Sequence, residues 1–478
     1  MYAKSENDMR PEQVFLFCLI SVFVGIACRI LIPFPIILLI GVLFSLIHFS
    51  IKKEKYAFLL LFLLIFGFLI AGMGLKTKII YSDQELNITG KILEDPVVLG
   101  TYGSAKIKTE DIGGKKIKNT ILVYFNNPKD YSRNDLVEFK GILLKPDSYY
   151  QNQGIGATVK TNDLKIIKSS ILSVFTKQKN RIREIIEEKM AIPYSSILSA
   201  MLLGDNYGLP NDLKESLNDS GLRHIISISG THITIIMNLL MSFLIFFGIS
   251  RKKSGIATLV IIFLYILFIG FYAPAIRAAI MGASIILAQL FGRLPDSFRF
   301  LLFAGVIILL LNPYLFFDAG FWLSFTATCG MILFSNYFTG KIKIILKNKG
   351  ISQVLGITFA AQIFSLPVLL YYFGSTSIFA FLSNLLISPA IPFVISFGFI
   401  AIILSLIFFP LGTIFFVIIQ ILLSYLIFIS NIFAKISIFR INLFPNIFIV
   451  LSAYILLIIW ARHIREEEKV SFLTPKLD

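Results

Sequence analysis

The sequence predicts an α-helical, multi-pass membrane protein with one small β domain. Of its 478 residues, 56% are hydrophobic and only 15% are charged, whereas soluble domains are about half apolar and about a quarter charged. Apolar runs long enough to cross a bilayer lie in both the first and the second half of the chain. Between them, a polar region alternates apolar and polar residues with the period of β-strands. These three observations define the predicted fold class.

Apolar runs of about 17–25 residues have the length that an α-helix needs to cross the hydrocarbon core. Three of them, 14–31, 35–51 and 56–75, form a first bundle, and further runs follow after a long gap. These are 225–249, 255–271, 275–291, 298–311, 316–337, 354–373, 379–409, 411–434 and 444–460. Pro389 and Pro392 break the run 379–409, so the sequence predicts ten to twelve spans.

Basic residues in short loops predict the orientation, because Lys and Arg concentrate on the cytoplasmic side of a membrane. Every second loop is basic, through Lys52, Lys53 and Lys55, then Arg251, Lys252 and Lys253, then Arg293 and Arg299, then Lys341, Lys343, Lys347 and Lys349. The N-terminus is therefore predicted to be cytoplasmic and the region 76–220 extracytoplasmic. The basic C-terminal tail would also be cytoplasmic only if 379–392 forms a re-entrant hairpin.

The region after the third run predicts a small β domain of the OB kind. Short strand-like stretches occur at 86–92, 105–109, 120–125, 136–144 and 157–167, separated by Gly, Pro and Asn turn signals. Five short strands suit a small closed barrel, and an open meander is the alternative. The predicted domains are a membrane segment 1–75, the β domain 76–170, a helical connector 171–220, a polytopic membrane domain 221–465 and a tail 466–478.

The β domain carries residues that a strand-binding barrel would use. Lys106 and Lys108 could meet phosphates, and Tyr124 and Tyr131 could stack on bases. The alternative is that the aromatic residues are core and the lysines are merely solvated, and the acids Glu110, Asp111, Asp130 and Asp135 dilute the basic patch. The net charge of +16 suits either anionic headgroups or a polyanion.

Residues 204–232 are polar and Gly- and Ser-rich, yet they lead straight into an apolar run. They hold His224 and His232, two of only four histidines. Ser229 and Gly230 predict a helix that starts or breaks there, and the free N–H groups at its start would attract anions. The alternative is that the serines cap a helix and the imidazoles lie at the interface. Two histidines without a nearby carboxylate do not predict a metal site.

Polar residues inside the later runs form a second candidate set. Arg277 and Asp318 lie near the ends of neighbouring runs, where they could pair or line a polar path. Gln289, Gln362 and Asn384 add uncharged polar groups. Such groups often form hydrogen bonds between helices. The two interpretations are therefore a hydrophilic cavity and simple interhelical packing. The set as a whole favours the cavity.

Four stretches in one order carry a family resemblance. Residues 221–232 read Gly-Leu-Arg-His-Ile-Ile-Ser-Ile-Ser-Gly-Thr-His. Pro-Ala-Ile-Arg-Ala follows at 274–278 and Asp-Ala-Gly-Phe-Trp-Leu-Ser-Phe at 318–325, and the fourth stretch runs from Leu366-Pro367 through Phe373-Gly374 to Asn384-Leu385 and Pro389. Together they resemble the ComEC family of competence DNA-uptake channels over nearly the whole chain.

The resemblance implies a channel that carries single-stranded DNA across the cytoplasmic membrane of a bacterium during natural transformation. The motif positions that it assigns to the DNA path are His224, Ser229, Gly230, His232, Arg277, Asp318 and Asn384. The chain has no Walker-type loop, so the strand must be moved by another protein, such as a cytoplasmic ATPase, or by trapping on the inside. A DNA receptor is a further expected partner. Many members of the family carry a metallo-β-lactamase-like domain, whose His-x-His-x-Asp-His cluster is missing here. We therefore expect no enzyme activity, metal or cofactor in this chain, and a separate nuclease.

Two other functions remain open from the residues alone. A transporter or flippase of another anionic substrate would use the same positive charge and polar cavity. An intramembrane serine hydrolase would use Ser229 with His232 or His224, although a spacing of three residues gives a poor approach for a general base.

Overall fold

The computed structural model describes most of the chain from residue 79 onward. The described residues are 18–26, 67, 79–94, 96–99, 102–126, 131–147, 150–151, 153–162, 164–170, 173–204, 208–226, 228–270, 273–292, 296–377, 379–407, 409–436, 440–443 and 445–473. The predicted spans 14–31, 35–51 and 56–75 lie outside them, apart from a helix at 18–26 and residue 67. The chain forms two compact units, Met1–Lys177 with Ala279–Asp318, and Gln178–Ala278 with Ala319–Asp478.

The first unit contains a small β half-barrel. Its strands are β1 (Ser82–Ile92), β2 (Val97–Leu99), β3 (Tyr102–Ile112), β4 (Thr120–Asn126), β5 (Leu136–Leu143), β6 (Ala157–Thr161) and β7 (Lys165–Lys168). The sheet order is β6-β4-β3-β1-β5-β7, with β2 paired to β3. The predicted fifth strand 157–167 is thus two strands, because the chain changes partners there: β6 runs parallel to β4, whereas β7 runs antiparallel to β5.

Alternate residues of these strands fill one apolar core. Ile107 of β3, Ile121 and Val123 of β4, and Val159 of β6 are fully buried, as the period of two requires for a sheet with one face inside. A two-residue turn at Gly113-Gly114 follows β3, and both glycines have positive φ angles, 59° and 82°, which other residues rarely adopt. The strand prediction for this region is confirmed, while the exact limits 76–170 of the domain stay a prediction.

From residue 173 onward the described elements are mainly helices. They are α1 (Ser173–Lys189), α2 (Tyr194–Leu203), α3 (Asn211–Asp219), α4 (Arg223–Ile226), α5 (Gly230–Phe246), α6 (Arg251–Ile269), α7 (Ala273–Leu290), α8 (Ser297–Leu311), α9 (Ala319–Leu346), α10 (Lys349–Phe373), α11 (Ala380–Ile387), α12 (Ile391–Ile407), α13 (Phe409–Lys435) and α14 (Ile447–Leu473). A 3-10 turn, Pro313–Phe317, links α8 to α9, and two short strands, β8 (Ser375–Ser377) and β9 (Arg440–Asn442), pair between α10 and α14.

Among the described helices, four are long and apolar enough to cross a membrane: α6, α10, α13 and α14. A fifth span results if α11 and α12 count as one helix with a break. The multi-pass helical class is thus confirmed at four to five candidate spans, and ten to twelve spans stay a prediction. At the break the axis turns by 44°, which fits either a broken span or a re-entrant loop, so the re-entrant hairpin at 379–392 stays a prediction.

Small residues let α9 and α10 approach each other closely. A Cβ at Gly330 of α9 would overlap the carbonyl oxygen of Ala360 and the Cβ of Phe364, both on α10. Nearby, Phe334, Phe364 and Ala461 of α14 form a buried cluster. Close approach at a glycine is the usual way in which membrane helices gain packing contacts, so α9 and α10 form a tight hairpin that positions the side chains of α9.

Helix α2 is buried on all sides, from Ser195 to Leu203. Leu202 packs against Gly398 of α12, where a side chain would overlap it. The carbonyl of Leu202 accepts a hydrogen bond of 2.7 Å from the hydroxyl of Tyr265 on α6. With ten residues, α2 is only about half as long as a membrane span must be, so it is an internal element that other helices enclose.

Candidate functional site

The polar segment before α5 has the broken helical form that its sequence predicts. Helix α3 ends at Asp219, and Gly221 just beyond it has a left-handed φ angle of 75°. The amide of Leu222 then donates to the carbonyl of Leu217 at 2.8 Å, which satisfies a carbonyl at the helix end. One turn of helix, α4, carries His224, and α5 begins afresh at Gly230. The two histidines therefore lie on separate helices.

Ser229 and His232 form a capping box at the start of α5. The Nδ1 atom of His232 accepts the backbone N–H of Ser229 at 3.0 Å and lies 2.7 Å from the Ser229 hydroxyl. His232 thus takes the place that Glu or Gln fills in the usual capping box. Because Nδ1 accepts an N–H, a neutral ring carries its proton on Nε2.

The Arg277 guanidinium is held by hydroxyl groups of the neighbouring helix. Its Nε donates to Ser324 Oγ at 2.7 Å, and its Nη1 donates to Thr328 Oγ1 at 2.5 Å. Ser324 and Thr328 are four residues apart on α9, so they lie on one face of the helix. On its other side the guanidinium lies against Gly230, where a Cβ would overlap Nη2. Arg277 therefore connects three of the motif stretches.

The other end of the polar segment is fixed by the fourth motif stretch. The Ser383 hydroxyl on α11 donates to the carbonyl of Ser220 at 2.6 Å, and Gly221 lies so close to Ala380 that a side chain would overlap it. The guanidinium of Arg223 lies 5.7 Å from the ring centre of Phe373, at the end of α10. Asn384 follows Ser383 directly, so it belongs to the helix that holds this segment.

His224 and Asp318 differ from these residues in their surroundings. The His224 side chain is exposed, yet it lies within electrostatic range of buried His232. Asp318 is exposed and precedes the first residue of α9. It belongs to the first compact unit, whereas Arg277 belongs to the second. The hydroxyls of Ser324 and Thr328 are among the partners of Arg277, and a pair between Arg277 and Asp318 stays a prediction.

The short distance between Ser229 and His232 does not make a catalytic pair. The same Nδ1 atom already accepts a backbone N–H, and within the described part of the chain Nε2 has no hydrogen-bond partner. A serine nucleophile needs a base that a third group orients. Among those residues, no three His, Cys, Asp or Glu side chains are grouped closely enough to bind a metal.

The four candidate contact residues of the β domain separate into surface and core. Lys106, Lys108 and Tyr124 point outward from β3 and β4, where Tyr124 is 36% exposed. Tyr131 is only 2% exposed, donates to the carbonyl of Leu164 at 2.9 Å and packs edge-on against Phe125. Its ring has no free face for stacking on a base, and this corrects the prediction for Tyr131.

The outward face of β3, β4 and β6 gathers basic and aromatic side chains. Lys160 of β6 stands beside Tyr124 in the parallel register, and the hydroxyl of Tyr124 lies 3.1 Å from that of Tyr150. Burial and this contact raise the pKa of Tyr124 to about 12, so its phenol is neutral at physiological pH. Lys106 is partly neutralised, because its Nζ lies 3.2 Å from a Glu94 carboxylate oxygen. We call this surface, formed by Lys106, Lys108, Tyr124, Tyr150 and Lys160, the basic–aromatic face.

Sequence reasoning missed the hydroxyl groups that hold the site together. Ser324 lies inside the third motif stretch, and Thr328 follows one turn later. The four-residue spacing of hydroxyl residues on an apolar helix is the signal that could have indicated them. Ser383 carries no comparable signal, because its role depends on which segment lies beside α11.

Removing the two α9 hydroxyls is expected to release Arg277. The double substitution Ser324→Ala and Thr328→Val removes two hydrogen bonds to a charged group, each worth about 1.5–3 kcal/mol. We expect a lower thermal unfolding temperature for the full chain in detergent and at least about a tenfold loss of function for a free-energy change of this size. Thr358→Val with Ser452→Ala is the matched control, since both hydroxyls bond only within their own helices. Equal unfolding temperatures for the two double variants would contradict the role given to Ser324 and Thr328.

Comparisons with known proteins agree with this arrangement of motifs. A family model described as "Competence protein" matches residues 201–466. The chain is 31% identical over 207 residues to ComE operon protein 3 of Bacillus subtilis, an alignment that covers 43% of this chain and 26% of that protein. It is 31% identical over 180 residues to the uncharacterized protein MG316 of Mycoplasma genitalium, covering 37% of this chain and 44% of the relative.

The uncharacterized protein YcaI of Escherichia coli is 23% identical over 212 residues, covering 42% of this chain and 28% of that protein. The alignments thus span between about a quarter and less than half of the length of these relatives. No solved structure matches the chain.

Proposed function

Because the chain belongs to the competence protein family, we propose that it forms the channel through which single-stranded DNA crosses the cytoplasmic membrane during natural transformation. One observation carries this proposal: residues of all four motif stretches are in contact with one another within the second compact unit. Gly230 lies against Arg277, Arg277 donates to Ser324, and Gly221 lies against Ala380. These contacts gather polar groups of the four stretches among apolar helices.

The free-energy cost of moving a phosphate across a membrane supports a channel lined by these polar groups. Moving a phosphate through hydrocarbon is strongly unfavourable unless charges or hydrogen-bond donors replace its water. Arg277, the start of α5 and the imidazoles are such donors, and they lie among helices that are otherwise apolar. A path lined by fixed donors lowers the barrier for each phosphate that passes.

The β half-barrel suits the capture of the strand. Its parallel β4–β6 pair and the bridge between Leu144 and Thr158 beside β5 correspond to a five-stranded barrel of the OB kind. Such barrels bind oligonucleotides on the face that corresponds to β3 and β4, which here is the basic–aromatic face. We place this domain outside the cell membrane and the N-terminus inside. A DNA receptor, a cytoplasmic ATPase and a separate nuclease complete the proposed system.

Deletion of the gene in the source bacterium tests the proposal. We expect transformants to fall below detection and labelled DNA to stay outside the cytoplasm, although DNA still binds to the cell surface. Expression of the intact chain from a second locus should restore both. Normal entry of labelled DNA in the deletion strain would exclude a channel role for this protein.

The basic–aromatic face can be tested by charge removal. The triple substitution Lys106→Gln, Lys108→Gln and Tyr124→Ala should lower uptake several-fold and reduce its salt dependence, because lysine contacts to phosphates are screened. Lys165→Gln with Lys168→Gln on β7 removes a similar charge away from this face and serves as the control. If the control variant loses as much uptake as the triple variant, net charge alone is responsible and the face has no specific role.

A further inference from the structure

One end of the β half-barrel carries large apolar side chains on its outer surface. Strand β5 alternates between two faces, so Leu143 is buried in the core while its neighbours Ile142 and Leu144 are 43% and 47% exposed. Ser82 of β1 pairs with Leu143, which places the preceding residue, Tyr81, opposite Leu144. Tyr81 is 73% exposed. We call Tyr81, Ile142 and Leu144 the apolar end patch. Apolar side chains gathered on one surface indicate a contact with a protein or a membrane.

Backbone hydrogen bonds place the apolar end patch beside the starts of β4 and β6. Leu144 and Thr158 exchange two bonds of 2.9 Å. The amide of Ile80 donates to the carbonyl of Gly156 at 3.0 Å, and the amide of Gly156 donates to the carbonyl of Thr120 at 2.8 Å. The patch therefore lies at the end of the half-barrel where these strands begin.

The same end of the half-barrel contacts the turn that follows an apolar helix. Gly154 has a left-handed φ angle of 77° and lies so close to Tyr314 that a side chain there would overlap its ring. Tyr314 belongs to the 3-10 turn after α8, and the half-barrel, α8 and the turn are all part of the first compact unit. Helix α8 is apolar and coincides with the predicted span 298–311. The contact thus places this end of the half-barrel where that span leaves the bilayer.

The chain also enters the half-barrel at this end. In the sequence, the predicted span 56–75 ends four residues before Ile79, which is exposed and precedes β1. Four residues extend over at most about 14 Å, since a chain spans about 3.3–3.6 Å per residue. The predicted span and the contact with Tyr314 therefore give the same position for the patch, close to the membrane surface.

The residues of the patch suit a lipid surface. Tyrosine is enriched where hydrocarbon meets water, because its ring is apolar and its hydroxyl is polar. Lys145, directly after the patch, is exposed, and a lysine can lay its aliphatic stem along apolar surface while its ammonium group stays among headgroups. Asp83 and Glu85 of β1 are exposed nearby, so the apolar side chains, and not an excess of positive charge, provide the attraction.

We propose that Tyr81, Ile142 and Leu144 insert into the interfacial layer of the lipid bilayer and hold the half-barrel on the membrane surface. This proposal goes beyond the proposed function, because it concerns lipid and does not depend on whether the chain carries DNA. The other end of the half-barrel then points away from the membrane. Tyr102 marks that end, since it pairs with Asn126, about 20 Å along β4 from Thr120 at about 3.3 Å per residue.

Fluorescent labels on the full chain in phosphatidylcholine nanodiscs test the proposal. Ile142→Cys and Leu144→Cys, each in a chain whose three native cysteines are replaced by alanine, are labelled with the environment-sensitive dye NBD. Tyr102→Cys is the matched control, because Tyr102 is also a large exposed side chain, 66% accessible. Unchanged resistance of the half-barrel to limited proteolysis shows that the labelled chains are folded.

The nanodiscs are prepared with and without a lipid that carries a nitroxide near the headgroup end of its acyl chain. We expect this lipid to quench the labels at 142 and 144 at least about threefold more than the label at 102, because interfacial apolar groups lie about 5–10 Å into the boundary of headgroups and acyl chains. Their emission should also be shifted to the blue. Replacing half of the phosphatidylcholine with phosphatidylglycerol should leave the quenching unchanged.

Three results would overturn the proposal. The first is equal quenching of the labels at 102, 142 and 144. The second is blue-shifted emission at 142 and 144 that the nitroxide lipid does not quench, because another protein segment or a second copy of the chain would then cover the patch. The third is quenching that occurs only with phosphatidylglycerol, which would make charge and not apolar insertion the basis of the contact.

Discussion

Replacing Gly330 with valine is expected to abolish DNA uptake and to lower the amount of folded protein in the membrane. The new side chain would overlap the Ala360 carbonyl oxygen and Phe364 Cβ, so α9 must move away from α10. Overpacking of this kind typically destabilises a protein by about 1–3 kcal/mol. Thr328, which holds Arg277, lies two residues before Gly330, so the displacement reaches the site directly.

Gly340→Val is the matched control, because it adds the same side chain to the same helix where nothing lies within reach. Membrane levels by immunoblot and transformation frequency measure both effects. If Gly330→Val accumulates and transforms like Gly340→Val, the close approach of α9 and α10 is not required.

Replacing Asp135 with alanine is expected to unfold the β half-barrel. Asp135 is 1% exposed, and its carboxylate accepts the amides of Ser132 at 2.8 Å and Ser170 at 2.7 Å. Alanine would leave two amides without an acceptor, at about 1–3 kcal/mol each. Limited proteolysis of the full chain should then cut within the half-barrel strands, and uptake should fall with it.

Asp83→Ala is the control, since Asp83 is exposed on β1. Unchanged protease resistance of Asp135→Ala would show that these amides find other acceptors. The burial also corrects the sequence interpretation of Asp135, because a carboxylate inside the domain cannot dilute the basic surface.

The periodicity of apolar residues predicted most helices and strands, because buried residues recur along an element with the period of that element. The apolar run 354–373 became α10, and 136–144 became β5. The number of membrane spans was harder to predict. The run 225–249 contains a break before Gly230, and the break leaves α5 with only 17 residues. A hydropathy pattern does not show where a helix is interrupted.

The site was only partly predictable, because its contacts depend on helix packing. Gly230 and Arg277 were identified from motif resemblance, but their contact follows from how α5 and α7 are arranged. The sequence did not predict the capping role of His232, because the usual capping box has Glu or Gln at this position. The alternation of residues along a strand shows which of them share a face. Tyr131 lies outside the strands, so this alternation did not show that its side chain is buried.

The enclosure of α2 has a consequence for biogenesis. Its partners are made much later than α2 itself: Tyr265 follows Leu202 by 63 residues, and Ser424 follows Tyr194 by 230. During synthesis an apolar segment too short to insert alone must therefore remain unprotected until α12 and α13 emerge from the ribosome. Early termination before residue 398 would therefore leave α2 without the residues of α12 and α13 that cover it in the folded protein.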